Sequence, residues 1–263
     1  MKIGIFDSGL GGLVILKSVT KLLPQYSYVY LGDTLNLPYG KKSQAEIYNL
    51  TKKAVAFLFK HDCKLVIIAC NTASAAALRK LQKGWLPKMY PDRRILGVIV
   101  PVVEVVSTER IGVIATKATV LTKTYIKEIK KLNSSAKVFQ VAASDLVPLI
   151  EANNFKAANE ALKKYLTPLI NKHVSSLILG CTHYPLLKNE VRRLVGKNVK
   201  IISQDQIIPL KLQSYLNKHA EFKDTLLKNH KTEFYVTKLG SSLKIISKSL
   251  FGTTIEFKRV NVN

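Results

Sequence analysis

Two of the three cysteines occur in similar surroundings, each directly after a short apolar segment. Cys70 lies in "VIIACNTAS" (Val66–Ser74), and Cys181 lies in "LILGCTHYP" (Leu177–Pro185). In both segments an apolar run and a small residue precede the cysteine, and a threonine follows within two positions. Because the number of cysteines is odd and nothing suggests secretion, we expect reduced thiols rather than a disulfide framework. A reduced thiol at the end of a strand can accept and release a proton.

Each of these thiols needs a neighbouring group to manage its proton. A helix that starts after the cysteine contributes about 0.3–1 kcal/mol, which is less than the ~1.4 kcal/mol of one pKa unit. For Cys181 the candidate is His183, two residues further on. For Cys70 the candidate is Asp7, which ends the first apolar run, and Glu151 is a further candidate for the second side. A carboxylate or an imidazole at these places could accept or relay the proton of the thiol.

Both cysteines are expected to stand just before the N-terminus of a helix. Thr72 or Ser74 can cap the first of these helices, and Pro185 suits the first position of the second. The free N–H groups at such a terminus can hold an anion, and a carboxylate substrate would fit there. The glycine-rich loop "DSGLGG" (Asp7–Gly12) is a further strand-to-helix turn, whose N–H groups and Ser8 hydroxyl could bind a small anion.

Two acid–base thiols that face each other across a bound molecule support the inversion of a stereocentre. One thiol removes a proton from carbon, and the other delivers a proton to the opposite face. The alternative is that both cysteines are small buried residues, which is common for free cysteine. Cys63 has no counterpart in the repeat, and for this cysteine we prefer the buried or incidental interpretation. Because the chain has no C-x-x-C pair, a zinc site would need scattered ligands, and we expect no metal.

Short apolar runs alternate with helix-length amphipathic segments along most of the chain. This alternation predicts an α/β fold built of βα units with mostly parallel sheets. The predicted strands are Lys2–Phe6, Tyr26–Leu31, Leu65–Ala69, Arg94–Val98, Arg110–Ala115, Lys137–Val141, Ser176–Leu179 and Val199–Ile202. Helical spacing of apolar positions predicts helices over Gly12–Leu22, Gln44–His61, Ala73–Lys83, Lys117–Leu132 and Phe155–Lys172. After Ser203 we expect a helix over Ile207–Leu227 and two final strands, Glu233–Val236 and Thr254–Phe257.

The chain also repeats itself weakly. The segment "IGIFDSG" (Ile3–Gly9) resembles "IGVIATK" (Ile111–Lys117) at an offset of 108 residues, and the two cysteine segments match at an offset of 111. Two matches at nearly one offset predict two α/β halves related by a pseudo-twofold axis, although βα units also resemble one another by chance. With such a duplication, both thiols would flank one cleft between two domains, at the carboxyl ends of parallel strands.

The charge and the length limit the possible classes of protein. The chain of 263 residues suffices for one large domain or two ordinary ones, and its net charge is +24, which raises nucleic acid as a partner. However, 34 of its 41 cations are scattered lysines, whereas base recognition favours arginine, so a solvated basic surface is the alternative.

The N-terminus fits neither a signal peptide nor an anchor, and no apolar segment approaches the ~20 residues of a spanning helix. We therefore expect a cytoplasmic protein without a membrane partner.

Six segments closely resemble, in order, the motifs of the cofactor-independent glutamate racemases of bacterial cell-wall synthesis. They are "FDSGLGGL", "GDTLNLPYG", "ACNTAS", "GVIATKATV", "LVPLIE" and "LGCTHYPLL". The resemblance extends from about residue 3 to residue 190, and the paired cysteine motifs are its most specific part. The C-terminal part is similar in general character only.

The resemblance implies interconversion of L- and D-glutamate by two thiols, without pyridoxal phosphate or metal, to supply D-glutamate for peptidoglycan. Cys70 and Cys181 would be the catalytic acid–bases, assisted by Asp7, His183 and Glu151. The residues that would bind the carboxylates and the amino group of the substrate are Ser8, Tyr39, Gly40, Asn71, Thr72, Thr116, Thr119 and Thr182.

The resemblance also implies a two-domain architecture with the active site between the domains. In that architecture the C-terminal segment returns to complete the first domain. We therefore predict a discontinuous first domain of residues 1–97 and 208–263, and a second domain of residues 98–207. The family further implies a homodimer.

The sequence departs from the family pattern at three places, none of them a predicted catalytic residue. They are Leu35-Asn36, Val100-Pro101 and Ser203-Gln204-Asp205. Two alternative functions stay open. One is an aspartate racemase of the same family, because the sequence does not determine the length of the substrate pocket. The other is a basic nucleic-acid-binding protein in which the cysteines are incidental.

Overall fold

The computed structural model describes residues 1–262 and contains ten strands within that range. Every pair of neighbouring strands among the described residues is parallel. The strands are β1 (Lys2–Asp7), β2 (Tyr28–Gly32), β3 (Cys63–Ile68), β4 (Arg94–Gly97), β5 (Arg110–Ala115), β6 (Lys137–Ala142), β7 (Ser176–Gly180), β8 (Lys200–Ser203), β9 (Thr232–Val236) and β10 (Lys258–Arg259). The predicted α/β fold with parallel strands is confirmed.

Helices connect the strands and are the second component of the fold. The α-helices of residues 1–262 are α1 (Gly12–Leu22), α2 (Gln44–Lys60), α3 (Asn71–Lys80), α4 (Leu86–Met89), α5 (Ile99–Val103), α6 (Lys117–Thr122), α7 (Thr124–Leu132), α8 (Leu146–Glu151), α9 (Phe155–Ile170), α10 (Lys188–Val195), α11 (Gln204–Lys218), α12 (Ala220–Lys223) and α13 (Ser241–Phe251). Short 3₁₀ segments occupy Thr34–Asn36, Tyr39–Lys41 and Tyr184–Leu187, and Leu81–Trp85 forms a π-helical segment after α3.

The strands form two sheets with the same internal order. The first sheet runs β10-β9-β2-β1-β3-β4, and the second runs β6-β5-β7-β8. The four strands β2-β1-β3-β4 therefore correspond, in chain order, to β6-β5-β7-β8. This correspondence supports the repeat seen in the sequence, since it pairs β1 with β5 and β3 with β7. Strands β9 and β10 extend the first sheet beyond β2.

The central strands of both sheets are buried on both faces, which explains why β1, β3, β5 and β7 are largely apolar runs. In β1, Ile3 and Ile5 pack into one core cluster, whereas Phe6 packs into the cluster on the other face. The second sheet behaves in the same way, with Val113 on one face and Ile114 on the other. Successive side chains of a strand point to opposite faces, so each strand contributes to two cores. Each sheet is thereby held rigidly, with its carboxyl end free to carry a site.

The largest differences between the predicted elements and the structure are at three places. The helix predicted over Lys117–Leu132 is broken at Lys123, whose left-handed backbone (φ 55°) separates α6 from α7. The helix predicted over Ile207–Leu227 begins three residues earlier, at Gln204, and ends at Lys218, where the next residue leaves the helical region. The last strand is Lys258–Arg259 rather than Thr254–Phe257, because the chain reaches β9 only there. The spacing of apolar residues in the sequence gives no sign of these three differences.

The described helices include none that is both long and apolar enough to cross a membrane.

Candidate active site

The two cysteines of the repeated motif line one cavity. Cys70 follows β3 and Cys181 follows β7, and both side chains contribute to a cavity of about 270 Å³. This volume lies near the lower end of the ~300–1,000 Å³ that is usual for ligand pockets, which suits a small molecule. Because β3 and β7 are corresponding strands of different sheets, the cavity is formed by the carboxyl ends of both sheets.

Most of the predicted site residues lie at this cavity. Ten of the thirteen line it, namely Ser8, Tyr39, Gly40, Cys70, Asn71, Thr72, Thr116, Cys181, Thr182 and His183. The other three, Asp7, Glu151 and Thr119, lie behind the lining and contact it through hydrogen bonds. The structure therefore brings all the predicted residues together.

The Cys70 thiol occupies the N-terminus of α3. Its sulfur, rather than Thr72 or Ser74 as predicted, caps the helix by accepting the Ala73 N–H at 3.4 Å. The Ser8 hydroxyl lies 3.3 Å from the same sulfur. Burial, followed by the negative charge of Asp7, raises the pKa of the Cys70 thiol to about 12, although the bonds from Ser8 and Ala73 act in the opposite direction. Burial and Asp7 thus favour the neutral thiol of Cys70, which is the form that can donate a proton.

Asp7 lies at the end of β1 and is completely buried. Its carboxylate accepts the Gly9 N–H at 2.9 Å and the Thr182 hydroxyl at 3.2 Å. Burial raises the pKa of Asp7, against the lowering effect of His183 and of the backbone of Gly9 and Gly12. A carboxyl group with a raised pKa can exchange a proton near neutral pH more readily than an ordinary aspartate.

The Cys181 side of the cavity contains a connected chain of three groups. His183 Nδ1 lies 3.8 Å from Cys181 Sγ, and His183 Nε2 lies 2.9 Å from Glu151 Oε1. Burial acts to lower the pKa of His183, but its hydrogen bonds to Cys181 and Glu151 and their negative charges raise it well above its usual value. Burial acts to raise the pKa of Glu151, yet the bond and charge of His183 and the Leu10 N–H lower it. An imidazolium beside Cys181 is thus favoured, oriented by Glu151.

The segment after Cys181 differs in detail from the prediction. Pro185 lies in a four-residue 3₁₀ turn, Tyr184–Leu187, and the α-helix α10 begins only at Lys188. The Tyr184 hydroxyl donates to Ala143 O at 2.7 Å, which holds this turn against the second sheet. The free N–H groups of an α-helix therefore stand beside Cys70 but not beside Cys181, where His183 supplies positive charge instead.

The first glycine-rich loop joins the two halves of the site. Its N–H groups bind carboxylates of the protein itself, because Gly9 donates to Asp7 and the Leu10 N–H binds Glu151. A side chain at Gly11 would place its Cβ 2.4 Å from Thr182 Oγ1 and 2.6 Å from His183 Nδ1. Glycine is therefore required where this loop crosses the second cysteine segment. The loop supports the catalytic groups, and its anion partners are Asp7 and Glu151.

Three threonine hydroxyls from the two halves meet at one wall of the cavity. Thr72 Oγ1 lies 2.9 Å from Thr116 Oγ1 and 3.3 Å from Thr119 Oγ1, and the latter two are 2.9 Å apart. Thr72 follows β3, whereas Thr116 follows β5, so the contact joins the carboxyl ends of the two sheets. Thr119 is fully buried and holds the other two hydroxyls in place.

The Tyr39-Gly40 turn contributes the shape of the wall rather than a free hydroxyl. The Tyr39 hydroxyl donates to Asp33 Oδ2 at 2.7 Å, and Thr237 from the C-terminal segment donates to Asp33 Oδ1 at 2.8 Å. Gly40 allows close contact with the second half, since a Cβ there would lie 3.1 Å from Thr116 Cβ. Asp33 was missed by sequence reasoning, and its contact with Thr237 spans 204 positions of the chain.

Six further lining residues were also missed by sequence reasoning. They are Leu37, Pro38, Lys41, Ser144, Val147 and Pro148. Val147 and Pro148 belong to the motif "LVPLIE", so that motif was the available signal for them. Lys41 is a cation at the cavity, but one lysine among 34 gives no signal in the sequence.

A larger cavity, of about 730 Å³, lies elsewhere in the molecule. It is lined by apolar and charged side chains of α3, α5, α7 and α11, and none of the predicted site residues contributes to it. The concentration of thiols, imidazole and hydroxyls therefore identifies the smaller cavity as the chemical site. Residues 1–262 contain no group of three or more His, Cys, Asp or Glu side chains that could hold a metal ion.

Comparisons with known proteins identify the family of this chain. The family model described as Asp/Glu/Hydantoin racemase matches residues 14–207. A glutamate racemase of Roseobacter denitrificans is 37% identical over 241 residues, covering 86% of this chain and 88% of that protein.

Solved structures of glutamate racemases have the same fold as this chain. A glutamate racemase isoform of Bacillus anthracis superimposes with a TM-score of 0.89 at 32% identity, covering 99% of this chain and 97% of that one. A glutamate racemase of Francisella tularensis, solved in complex with D-glutamate, has a TM-score of 0.89 at 31% identity and covers 100% of this chain and 98% of that one. Two parallel sheets of matching order, with a thiol after the same strand of each, are thus the fold and site of an amino-acid racemase. The chain belongs to the Asp/Glu/Hydantoin racemase family.

Proposed function

We propose that this chain interconverts L- and D-glutamate, with Cys70 and Cys181 as two opposed acid–base groups. The observation that carries the proposal is that both thiols follow corresponding strands and line one small cavity. The similarity to glutamate racemases over most of the chain supports glutamate as the substrate. Aspartate is the alternative substrate within the family, and a cavity of this size favours neither amino acid by itself.

The reaction needs one proton removed and one proton delivered. The thiolate of one cysteine removes the α-proton of glutamate, which leaves a carbanion whose charge spreads into the α-carboxylate. The neutral thiol of the other cysteine then donates its proton to the opposite face of the α-carbon, and the configuration is inverted. The two cysteines exchange protonation states in each turnover, so the reverse reaction uses them in the opposite roles. Neither pyridoxal phosphate nor metal takes part in this scheme.

The supporting groups differ on the two sides of the cavity. On one side, burial and the negative charge of Asp7 raise the pKa of Cys70 and favour its neutral form, which donates a proton, and Asp7 is the carboxylate that would take up the thiol proton when Cys70 acts as the base. On the other side, the imidazolium of His183, held by Glu151, provides a positive charge 3.8 Å from Cys181 Sγ. Asp7 and His183 therefore help two thiols by different means, with Glu151 as the positioning group for His183.

The lining provides hydrogen-bond donors for the two carboxylates of glutamate. We assign this role to the hydroxyls of Ser8, Thr72, Thr116 and Thr182 and to the amide of Asn71, which all lie at the cavity. Thr119 acts through its hydrogen bonds to Thr72 and Thr116, and the Tyr39-Gly40 turn closes one wall.

Incubation in D₂O tests the proposal. With L-glutamate and reduced thiols, we expect deuterium at the α-carbon and optical rotation that falls to zero. The Cys63→Ser variant is the control for loss of a buried thiol, because Cys63 is buried but does not line the cavity, and it should racemise glutamate as the wild-type protein does. Rotation that stays constant for the wild-type protein would rule the proposal out. Faster exchange with aspartate than with glutamate would favour the alternative substrate.

Biological context extends the proposal. D-glutamate produced by this chain would supply peptidoglycan synthesis in the cytoplasm, where three unpaired cysteines stay reduced. We also propose a homodimer, which sedimentation would detect as twice the mass of the chain.

The net charge of +24 supports nucleic-acid binding only as a secondary interaction. Salt-sensitive binding of DNA together with no turnover of amino acids would instead favour the nucleic-acid-binding alternative.

A further inference from the structure

A closed triangle of hydrogen bonds lies directly behind the cavity. Asn71 Oδ1 accepts the Tyr125 hydroxyl at 2.7 Å and Gln204 Nε2 at 3.0 Å, and Gln204 Nε2 also lies 3.2 Å from the Tyr125 hydroxyl oxygen. All three side chains are buried, with Asn71 2% exposed and the other two fully enclosed. The three residues come from α3, α7 and α11, so the triangle joins elements that are far apart in the sequence.

Both outer groups donate to the carbonyl oxygen of Asn71. Gln204 Nε2 lies 3.0 Å from Asn71 Oδ1 and 3.2 Å from the Tyr125 hydroxyl oxygen, and these two acceptors are 2.7 Å apart, so one N–H is shared between them. Tyr125 has a single O–H, and it donates to Asn71. The carbonyl oxygen of the Asn71 amide therefore receives two donors, which determines the direction of the whole amide group.

The opposite atom of this amide is left without a partner. Asn71 Nδ2 is buried and has no hydrogen-bond partner among the described residues, and the same holds for Gln204 Oε1. Asn71 lines the cavity between the cysteines, whereas Tyr125 and Gln204 do not. Because an unsatisfied buried donor is unfavourable, a ligand with an acceptor oxygen would relieve it on binding.

We propose that Tyr125 and Gln204 are positioning residues that hold Asn71 with Nδ2 as a donor to a carboxylate of the substrate. The inference rests on the proposed racemisation of glutamate. Without the two bonds to Oδ1, the amide could turn over and present its carbonyl oxygen to the anionic substrate, which would repel it. Gln204 lies in Ser203-Gln204-Asp205, where this sequence departs from the family it resembles. The triangle thus determines the affinity for substrate rather than the proton transfers.

Steady-state kinetics with each enantiomer of glutamate tests this assignment. Tyr125→Phe and Gln204→Met each remove donors to Oδ1, and we expect each to raise KM by about three- to tenfold, the net effect of one or two hydrogen bonds, with a smaller change in kcat. Tyr28→Phe is the matched control, because the Tyr28 hydroxyl is also buried but donates to Leu23 O in the first core. It should leave KM unchanged.

A double-mutant cycle with Asn71→Ala separates positioning from a general loss of structure. If Tyr125 and Gln204 act through Asn71, their substitutions have no further effect on KM in the Asn71→Ala background. An undiminished effect in that background overturns the proposal. Urea unfolding of each variant shows whether it is folded. If Tyr125→Phe is not folded, the double-mutant cycle is measured with Gln204→Met.

Gln204→Glu tests the direction of the amide. The ionised carboxylate that this substitution introduces only accepts hydrogen bonds, so it would draw Asn71 Nδ2 away from the cavity and raise KM more than Gln204→Met does. In the Asn71→Ala background, KM should no longer rise more with Gln204→Glu than with Gln204→Met through the direction of the amide. Any effect of the added negative charge on KM remains in that background. A Gln204→Glu variant that binds glutamate as well as wild type would show that the amides are arranged the other way and that the proposal is wrong. Failure of the wild-type protein to racemise glutamate would instead refute the proposed function itself.

Discussion

At the scale of single residues, the two thiols have unequal surroundings although their positions correspond. Cys70 faces a buried carboxyl group, Asp7, and a serine hydroxyl, whereas Cys181 faces an imidazole oriented by Glu151. Inversion of a stereocentre requires opposed acid–base groups but not identical ones. The two directions of the reaction are therefore expected to respond differently to substitutions on either side.

The first residue-scale prediction concerns the cysteines separately. Cys70→Ser and Cys181→Ser should each lower racemisation by at least about 10³-fold, because a serine hydroxyl is a much weaker acid than a thiol. Each variant should still exchange the α-proton of one enantiomer with D₂O, since one thiol remains. Proton NMR of the α-position, with each enantiomer alone, measures this exchange. Full racemase activity in either variant would contradict the two-thiol mechanism.

The second residue-scale prediction concerns the His183–Glu151 pair and pH. The pKa of His183 is raised from 6.5, so its stabilising effect is complete below pH 6.5 and is lost as the pH rises through the folded-state pKa. The pKa of Glu151 is lowered from 4.5, so its effect is complete above pH 4.5 and is lost as the pH falls through the folded-state pKa. The pair therefore stabilises the fold most between these two values.

Glu151→Gln tests this dependence. The difference in the free energy of unfolding between wild type and variant, measured with urea, should be largest between pH 4.5 and 6.5 and should decrease on both sides. Glu190→Gln is the control, because Glu190 pairs with Arg193 on the exposed surface, where an ion pair contributes little. A difference that is independent of pH would contradict an ion pair between His183 and Glu151.

At the scale of elements, the first βα loop is the part that connects the two catalytic halves. It follows β1 of the first sheet, yet its N–H groups and its close contacts reach Glu151, Thr182 and His183 of the second half. Two glycine-free segments could not approach each other in this way. The loop therefore sets the distance between the groups that serve Cys70 and those that serve Cys181.

Gly11→Ala should disturb this connection. Its methyl group would lie 2.4 Å from Thr182 Oγ1 and 2.6 Å from His183 Nδ1, so these side chains must move. We expect kcat to fall by about 10- to 100-fold and the free energy of unfolding by about 1–3 kcal/mol. Gly84→Ala is the control, since a Cβ at Gly84 meets nothing within 4 Å. Wild-type kcat in Gly11→Ala would show that the loop does not position His183.

At the scale of the whole molecule, charge is the unusual property. The chain has 41 basic and 17 acidic residues, so its basic residues outnumber its acidic ones by 24. Such an excess opposes the compact state through mutual repulsion, which salt screens with a Debye length of about 8–10 Å near physiological ionic strength. The fold nevertheless forms because both sheets bury apolar side chains on both faces.

Added salt should therefore stabilise this protein. We expect the midpoint of thermal unfolding to rise between 20 mM and 200 mM NaCl, roughly the range over which screening becomes effective. Sucrose at matched osmolality is the control, because it does not screen charge and stabilises only through its exclusion from the protein surface, so NaCl should raise the midpoint by more than sucrose does. A midpoint that falls or stays constant with salt would show that repulsion among the lysines is already balanced in the folded state.

Much of this protein could be predicted from its sequence. The apolar runs of β1, β3, β5 and β7 are continuous because the sheets are buried on both faces, and this local pattern predicted the parallel α/β fold. The offset of 111 residues between Cys70 and Cys181 predicted that the two thiols correspond. The strand orders support that correspondence, since each thiol follows the equivalent strand of its sheet.

Contacts between distant residues were decided by the tertiary structure alone. Glu151 meets His183 across 32 positions, Gln204 meets Asn71 across 133, and Thr182 meets Asp7 across 175. The break at Lys123 and the cap formed by Cys70 itself likewise left no periodic signal. Periodicity reports which face of an element is buried, whereas the partners of a buried polar group depend on how elements pack. The sequence by itself therefore determined the fold, the two thiols and the candidate groups for each thiol, and only the packing of the two sheets decided the hydrogen bonds that join these groups.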